Sequence, residues 1–325
     1  MSATPVQLVI GSTGSLGSAI VNELTFSNKP VRALVRNPSK AREVFTNPDK
    51  VEMIEGSAED PTTLKKALEG IEVFHNCMNL PYSDWSRLPE IHGRIIEVAS
   101  KSKARMIFPG NVYVFGHTGP EKVREDHTRN PCSNKGRIRV ELEDTFMRYS
   151  REGKVPCVIM RFPDYYGPNA ASIADGIFRS AINNKTARWP GKLDTLHEFI
   201  FVSDAAKAMT MAAERPDALG QEFNVPGPEP ILVRDFISLV FKLAGFQPKM
   251  VGTSRILVRL FGLFNSTARA FAEMQYLAEE PLLLDGTKLS NFFGTKYPAR
   301  SYEEGIKGTL DWMKKKDSHT TGQLT

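Results

Sequence analysis

The stretch VQLVIGSTGSLGSAIVNELTF (6–26) restricts the fold more than any other part of the chain. Residues 6–10 form an apolar run that reads as a strand, and residues 15–26 carry Leu16, Ile20, Val21 and Leu24 on one face of a helix. The turn between them holds Gly11, Gly14 and Gly17. Gly11 permits the tight turn. Gly14 lets backbone N–H groups approach a pyrophosphate at the helix N-terminus, and Gly17 lets helix and strand pack closely. Thr13, Ser15 and Leu16 complete this loop. A glycine-rich turn without a ligand is the alternative, but a triplet placed directly after an apolar strand and inside a βαβ pattern points to a dinucleotide.

That pattern continues. Residues 31–36, 51–56, 71–77, 104–110 and 155–162 read as strands; residues 61–70, 87–102 and 133–152 read as helices. The expected fold class is α/β, a Rossmann-type doubly wound parallel sheet. Beyond it the pattern loosens. Helices are expected over 171–186, 205–214 and 232–245, short strands over 198–204 and 221–225, and an amphipathic stretch over 254–280. The polar tail from about Lys314 is expected to fray. The resulting division is a nucleotide-binding domain of residues 1–165 plus 195–227. A smaller, mainly helical C-terminal substrate lobe takes residues 166–194 plus 228–325.

Composition narrows the class. The 325 residues are enough for a sizeable core, and 41% hydrophobic with 24% charged residues is ordinary for a globular chain. The net charge of +5 comes from well-mixed acids and bases, which excludes a nucleic-acid stripe. Cys77, Cys132 and Cys157 lie far apart and form neither a zinc motif nor a disulfide framework, which fits a reducing, cytoplasmic setting. No signal-peptide pattern and no apolar run long enough to span a bilayer is visible.

Arg36 follows the second strand, where NAD-preferring proteins place an acid on the ribose 2′-hydroxyl. A guanidinium there suits a 2′-phosphate, because it can bind two oxygens at once, and Lys40 can assist. The expected cofactor is therefore NADP(H). A solvated surface arginine is the competing reading.

Taken together, the chain resembles the extended short-chain dehydrogenase/reductase family, the NAD(P)-dependent epimerase/dehydratase group. The resemblance rests on GSTGSLG (11–17), GSAEDPTTLKKALEGIEVFHNCMN (56–79), RFPDYYGPN (161–169), HEFIFVSDAAKAM (197–209) and FFGTKYPARSYEEGIKGTLDWMK (292–314). It implies that Ser57 and Ala58 lie near the adenine and that Asn76, Cys77 and Met78 end a strand at the cofactor. It also implies that Phe162 and Pro163 back the nicotinamide. Members of this family are often dimers, through a helix pair that includes residues 133–152, so a homodimer is possible.

Several departures fall on functional positions. Lys135 stands where the catalytic tyrosine is usual, Arg139 where its lysine partner is usual, and Asn111 where a serine or threonine is usual. None of the eight tyrosines has a lysine four residues later. His197 replaces an arginine that often holds the diphosphate of a nucleotide sugar, which makes such a substrate less expected.

Residues i and i+4 share one helix face, so Lys135 and Arg139 should enter the same cleft. Arg139 can bind ribose hydroxyls but cannot serve as an acid near neutral pH. Lys135 can, because partial burial and a neighbouring arginine both disfavour its charged form. A solvated basic helix face, with Arg137 between them, is the competing reading. Asn111 can orient a carbonyl oxygen. Tyr113, expected two residues along the same strand, is the second candidate acid, with a packed strand tyrosine as its ordinary reading. Asp164, Tyr165 and His197 complete the expected substrate contacts; Tyr166 and His117 are weaker candidates. Residues 254–277 mix apolar residues with arginines, as a lid helix or a surface-binding helix would.

Three functions follow. The first is an NADPH-dependent oxidoreductase reducing a small carbonyl or conjugated substrate, with Lys135 as proton donor. The second is an epimerase, isomerase or lyase without net redox. The third is a non-catalytic NADP(H)-binding sensor.

Overall fold

The computed structural model describes residues 5–253, 272–294 and 299–322. Seven strands form the central sheet: β1 (Gln7–Ile10), β2 (Val31–Val35), β3 (Val51–Glu55), β4 (Val73–Asn76), β5 (Arg105–Asn111), β6 (Cys157–Phe162) and β7 (Glu222–Asn224). Their order is β3-β2-β1-β4-β5-β6-β7, and every pairing is parallel. The order reverses between β1 and β4, and in such sheets the crevice at the carboxyl ends of the reversing strands is the ligand site. The doubly wound fold expected from the sequence is the fold observed.

The helices are α1 (Ser15–Phe26), α2 (Pro38–Val44), α3 (Pro61–Leu68), α4 (Leu88–Ala99), α5 (Asn134–Arg151), α6 (Ile173–Ile182), α7 (Val202–Ala213), α8 (Val233–Ala244) and α9 (Tyr302–Gly322). Sheet residues alternate between two apolar layers, as a period of two requires. Val9, Val158 and Met160 face Ile20 and Leu24 of α1 and Met209 of α7. Leu8, Phe74 and Phe108 face Ile95 of α4 and Leu142 and Phe146 of α5. Because both faces are covered, β1, β4 and β6 are buried along their whole length, including their polar members Gln7, His75, Asn76 and Arg161. A third cluster packs Phe178 of α6, Phe236 of α8 and Ile306 of α9 around Trp189, Phe199 and Tyr166.

Local signals explain the helix starts. Asp60 accepts the Thr62 and Thr63 amides and Pro61 occupies the first turn of α3; Ser133 accepts the Gly136 amide at 3.0 Å at the start of α5. The same signature, Asn37 followed by Pro38, starts α2, which the sequence reading did not assign.

Three expectations need correction. The strand expected over 198–204 spans only Phe199–Phe201, and α7 begins at Val202 rather than 205, because pairing is limited to the three residues Asp164–Tyr166. The tail does not lose its helix near Lys314: α9 runs to Gly322, through a lysine-rich segment of good helix formers. Tyr113 is not on a strand: β5 ends at Asn111, whose side chain caps a single 3₁₀ turn, Val112–Val114. Residues 254–271 of the amphipathic stretch lie outside the described residues; beyond them, Tyr276–Glu279 forms one helical turn. Among the described residues, no helix is long and apolar enough to cross a membrane.

Candidate active site

At the β1–α1 turn, two glycines are dictated by contact. A Cβ on Gly11, which has φ +74°, would lie 2.4 Å from the Cys77 carbonyl oxygen. A Cβ on Gly17 would lie 2.2 Å from the Gly11 carbonyl oxygen. Gly14 differs, since a Cβ there would meet only the Gly11 oxygen, at 3.3 Å. Its bare surface fronts the N-terminus of α1, which has no side-chain cap. The first-turn N–H groups of Ser15, Leu16 and Gly17 are therefore left for an anion.

The loop is braced from behind. Ser12 donates to the Leu34 carbonyl at 2.8 Å. Asn169 donates to the Thr13 carbonyl at 3.3 Å and to the Ser18 hydroxyl at 3.1 Å, and Ser15 accepts the Ala171 amide at 3.1 Å. Asn169 itself adopts φ +56°, which asparagine tolerates better than most residues. It lay inside the quoted GPN stretch, yet nothing in the sequence marked it as the buttress of the phosphate loop.

The adenosine end is set by register. Val35 pairs with Glu55, so Arg36 leaves β2 beside Gly56, Ser57 and Ala58 leaving β3. Arg36 is exposed and makes no hydrogen bond or ion pair to the described residues. The Ser57 hydroxyl accepts the Glu59 amide at 3.1 Å, and Ala58 is buried. This cradle and the open helix end fit a dinucleotide.

At the end of β4, the fully buried Asn76 donates to His92 Nδ1 at 3.0 Å. Its side chain supports the sheet end rather than facing a ligand. Cys77 donates its amide to the Ile10 carbonyl at 2.9 Å, and Met78 packs on the apolar layer. Burial raises the Cys77 thiol above its ordinary pKa, which disfavours the thiolate that a nucleophile needs. Phe162 is fully buried and Pro163 buried behind it, with the Phe162 ring 5.7 Å from that of Tyr165.

Lys135 and Arg139 lie one turn apart on α5 and are only 5% and 6% exposed, whereas Arg137 between them faces solvent. The turn Tyr82–Arg87 closes over both. Lys135 Nζ stands 5.1 Å from the Tyr82 ring centre, and the Arg139 guanidinium stands 4.7 Å from Trp85 and 5.8 Å from Phe108. Tyr82 and Trp85 meet edge to face at 5.0 Å. Lys135 also pairs with the carboxylate of Glu273, which accepts the Asn134 amide at 3.0 Å. Arg139 has no carboxylate in hydrogen-bond contact among the described residues, and its Nε is buried without a partner. Burial lowers its pKa from the ordinary arginine value.

The Tyr82 and Tyr113 hydroxyls share a hydrogen bond of 2.5 Å. Burial pushes the Tyr82 pKa up to about 12 and Tyr113 well above its ordinary value, and the nearby Asp164 charge adds to both. Asn111 accepts the Tyr113 amide at 3.2 Å with its side-chain oxygen, which leaves its NH₂ as a donor. His197 donates to Asp164 at 3.0 Å, with its ring held 4.4 Å from Phe199 and 5.2 Å from Trp189. Burial raises the Tyr165 pKa and keeps its hydroxyl protonated. Tyr166 lies in the third apolar cluster and His117 pairs with Glu280 at 2.7 Å, so neither belongs to this constellation. Tyr82, Trp85 and Glu273 were not marked as site residues by the sequence: each reaches the site because a distant segment folds against α5.

The model of the NAD dependent epimerase/dehydratase family matches residues 7–226. An uncharacterized UDP-glucose epimerase, YtcB, of Bacillus subtilis (strain 168) is 24% identical over 210 residues. The match spans 58% of this chain and 66% of that protein, just under two thirds of its length. An NAD(P)H azoreductase of Xenophilus azovorans is 42% identical over 65 residues, 20% of this chain and 22% of that one. The crystal structure of dTDP-glucose 4,6-dehydratase from Bacillus anthracis str. Ames in complex with NAD superposes with a TM-score of 0.80. It covers 97% of this chain and 98% of that one at 14% identity, a likeness of fold. The family match starts at the first residue of β1 and ends two residues beyond β7, so it takes in the whole central sheet. On that ground the chain belongs to the NAD-dependent epimerase/dehydratase family.

Proposed function

We propose that the protein is an NADPH-dependent oxidoreductase that reduces a small carbonyl or conjugated substrate, with Lys135 as proton donor. The observation that carries this reading is the inward burial of Lys135 beside Arg139, in the cleft over Tyr82 and Trp85. A basic helix face with no role would leave both side chains in water, as it leaves Arg137.

The β1–α1 turn would hold the pyrophosphate, Arg36 with Lys40 the 2′-phosphate, Ser57 and Ala58 the adenine, and Phe162 with Pro163 the nicotinamide side. The bound cofactor supplies hydride. Lys135 then gives its proton to the substrate oxygen, while the Asn111 NH₂ and the Tyr113 hydroxyl orient that oxygen by donating to it. Arg139, with unspent donors, holds ribose hydroxyls. Asp164 and His197 bound the substrate end, together with Tyr165. A cationic Lys135 tolerates the neutral reduced ring better than the oxidised one, which favours the reducing direction.

The test is NADPH carrying deuterium on its transferable carbon, incubated with the protein and a metabolite extract. Deuterium in a metabolite supports the reductase and names the substrate class. The names of the similar proteins, an epimerase and a dehydratase, favour a second reading, turnover without net cofactor oxidation. Tight NADPH binding with no label transferred would favour that reading, or a sensor.

A further inference from the structure

We propose that Glu273 is a positioning residue for proton delivery: it holds the Lys135 ammonium in place and passes it each new proton from solvent. The inference rests on the reading of Lys135 as the proton donor.

The geometry has two parts. One carboxylate oxygen of Glu273 accepts from Lys135 Nζ, and the other accepts the Asn134 amide at 3.0 Å. A single carboxylate therefore fixes both the first turn of α5 and the side chain mounted on it, and negative charge at a helix N-terminus is favourable in itself. Exposure differs between the partners, at 6% for the Lys135 side chain and 27% for that of Glu273. A buried amine that has given up its proton needs a route to water, and among the described residues Glu273 is a partner of Lys135 that is partly exposed.

The other charged or titratable groups around Lys135 serve this role poorly. Tyr82 presents its ring to Nζ, while its hydroxyl is bonded to Tyr113. Burial raises the pKa of Tyr82, Tyr113, Tyr276 and Cys132, so all four stay protonated at neutral pH. Arg139 is a cation, and Asp164 is bonded to His197.

The step balances. The carbonyl carbon gains hydride from the reduced nicotinamide, and its oxygen gains the Lys135 proton. The Glu273 carboxylate then accepts one proton from solvent at its exposed edge and hands it to the neutral amine, so each turnover consumes one hydride and one solvent proton and leaves both residues in their starting charge states. The substrate is reduced and the cofactor oxidised.

The test uses the full-length protein with lysine labelled at Cε, whose chemical shift reports the charge on Nζ. It compares wild type with Glu273→Gln, Glu273→Asp and Lys135→Met. Glutamine keeps an acceptor for the Asn134 amide and removes the charge, so the melting temperature should hold. The expected result is a charge transition at Lys135 that moves to lower pH in Glu273→Gln by about one unit and returns in Glu273→Asp, because a carboxylate in contact favours an ammonium. With 9,10-phenanthrenequinone as acceptor, the alkaline limb of kcat should move with it, an about tenfold loss on that side. An unmoved transition with the fold intact overturns the proposal. If Lys135→Met turns over like wild type, the reductase mechanism fails first and takes this step with it. If Lys135→Met is inactive while Glu273→Gln is unchanged, only the role of Glu273 fails.

Discussion

The β1–α1 turn and the first turn of α5 hold their functional groups by opposite means. The first works through backbone: Gly11 and Gly17 are pressed to within a Cβ of carbonyl groups, and the presented groups are main-chain N–H donors. The second works through side chains from distant segments. Lys135 depends on Tyr82 and Glu273, and Arg139 on Trp85 and Phe108. A backbone site tolerates almost no substitution and announces itself by glycine. A side-chain site is held by packing and pairing between segments, so its residue types are less narrowly fixed than those of a glycine turn.

The largest expected effect is at the backbone site. Gly11→Val adds atoms 2.4 Å or less from the Cys77 carbonyl and forces a β-branched residue into φ +74°. It should cost about 3 kcal/mol or more in stability and abolish NADPH binding, followed by the quenching of protein fluorescence. Retained binding would break the comparison, because the turn would then tolerate a side chain. Lys135→Met should act the other way, lowering turnover by ~10²–10⁴-fold, the usual contribution of a proton donor, with NADPH still bound at the glycine turn. Loss of binding in that variant would show that the two sites are not separable.

Arg36→Ala sharpens the backbone half. It removes a guanidinium with no partner among the described residues, so folding loses little. NADPH affinity should fall about tenfold or more, the worth of a charge-assisted contact, while NADH affinity changes little. Equal loss for both cofactors, by calorimetry, would place Arg36 away from the 2′-phosphate.

The same contrast governs what could be read beforehand. The glycine turn, the sheet strands and the helix over 15–26 follow from local pattern, and each is where the sequence put it. The placing of Lys135 and Arg139 on one inward face followed from helical spacing. Their partners did not, because Tyr82 and Glu273 lie 53 and 138 residues from Lys135 along the chain, and the amphipathic pattern around Glu273 does not say which element that stretch packs against. Tyr113 shows the limit in miniature. The strand β5 runs to Asn111, whose side chain folds back onto the Tyr113 amide and caps the 3₁₀ turn that follows.

The smallest expected effect concerns stability against pH, and it separates buried groups by sign. His92, bonded to Asn76 behind the cofactor crevice, and His75, bonded to Gln7 at 2.7 Å, are pushed down to about 3 by burial. Both are neutral when folded and titrate near ~6.5 when unfolded, so the stability they confer is present above that value and is lost as pH falls. Glu198 is the reverse case. It is 2% exposed, accepts the Leu284 amide at 3.0 Å, and burial raises its pKa to about 8. Folded protein keeps its proton where unfolded chain, titrating near ~4.3, has lost it. Its contribution is therefore full below that unfolded value and is lost as pH rises through about 8. Urea melts should give a stability that declines on both sides, by at most about 1.4 kcal/mol per pH unit for each group. Glu198→Gln keeps an acceptor for the Leu284 amide and has no proton to lose, so it should flatten the decline above about pH 6.5 and leave the profile below about 4.3 unchanged. An alkaline decline that persists in that variant would mean the Glu198 carboxyl is not the group held protonated by the fold.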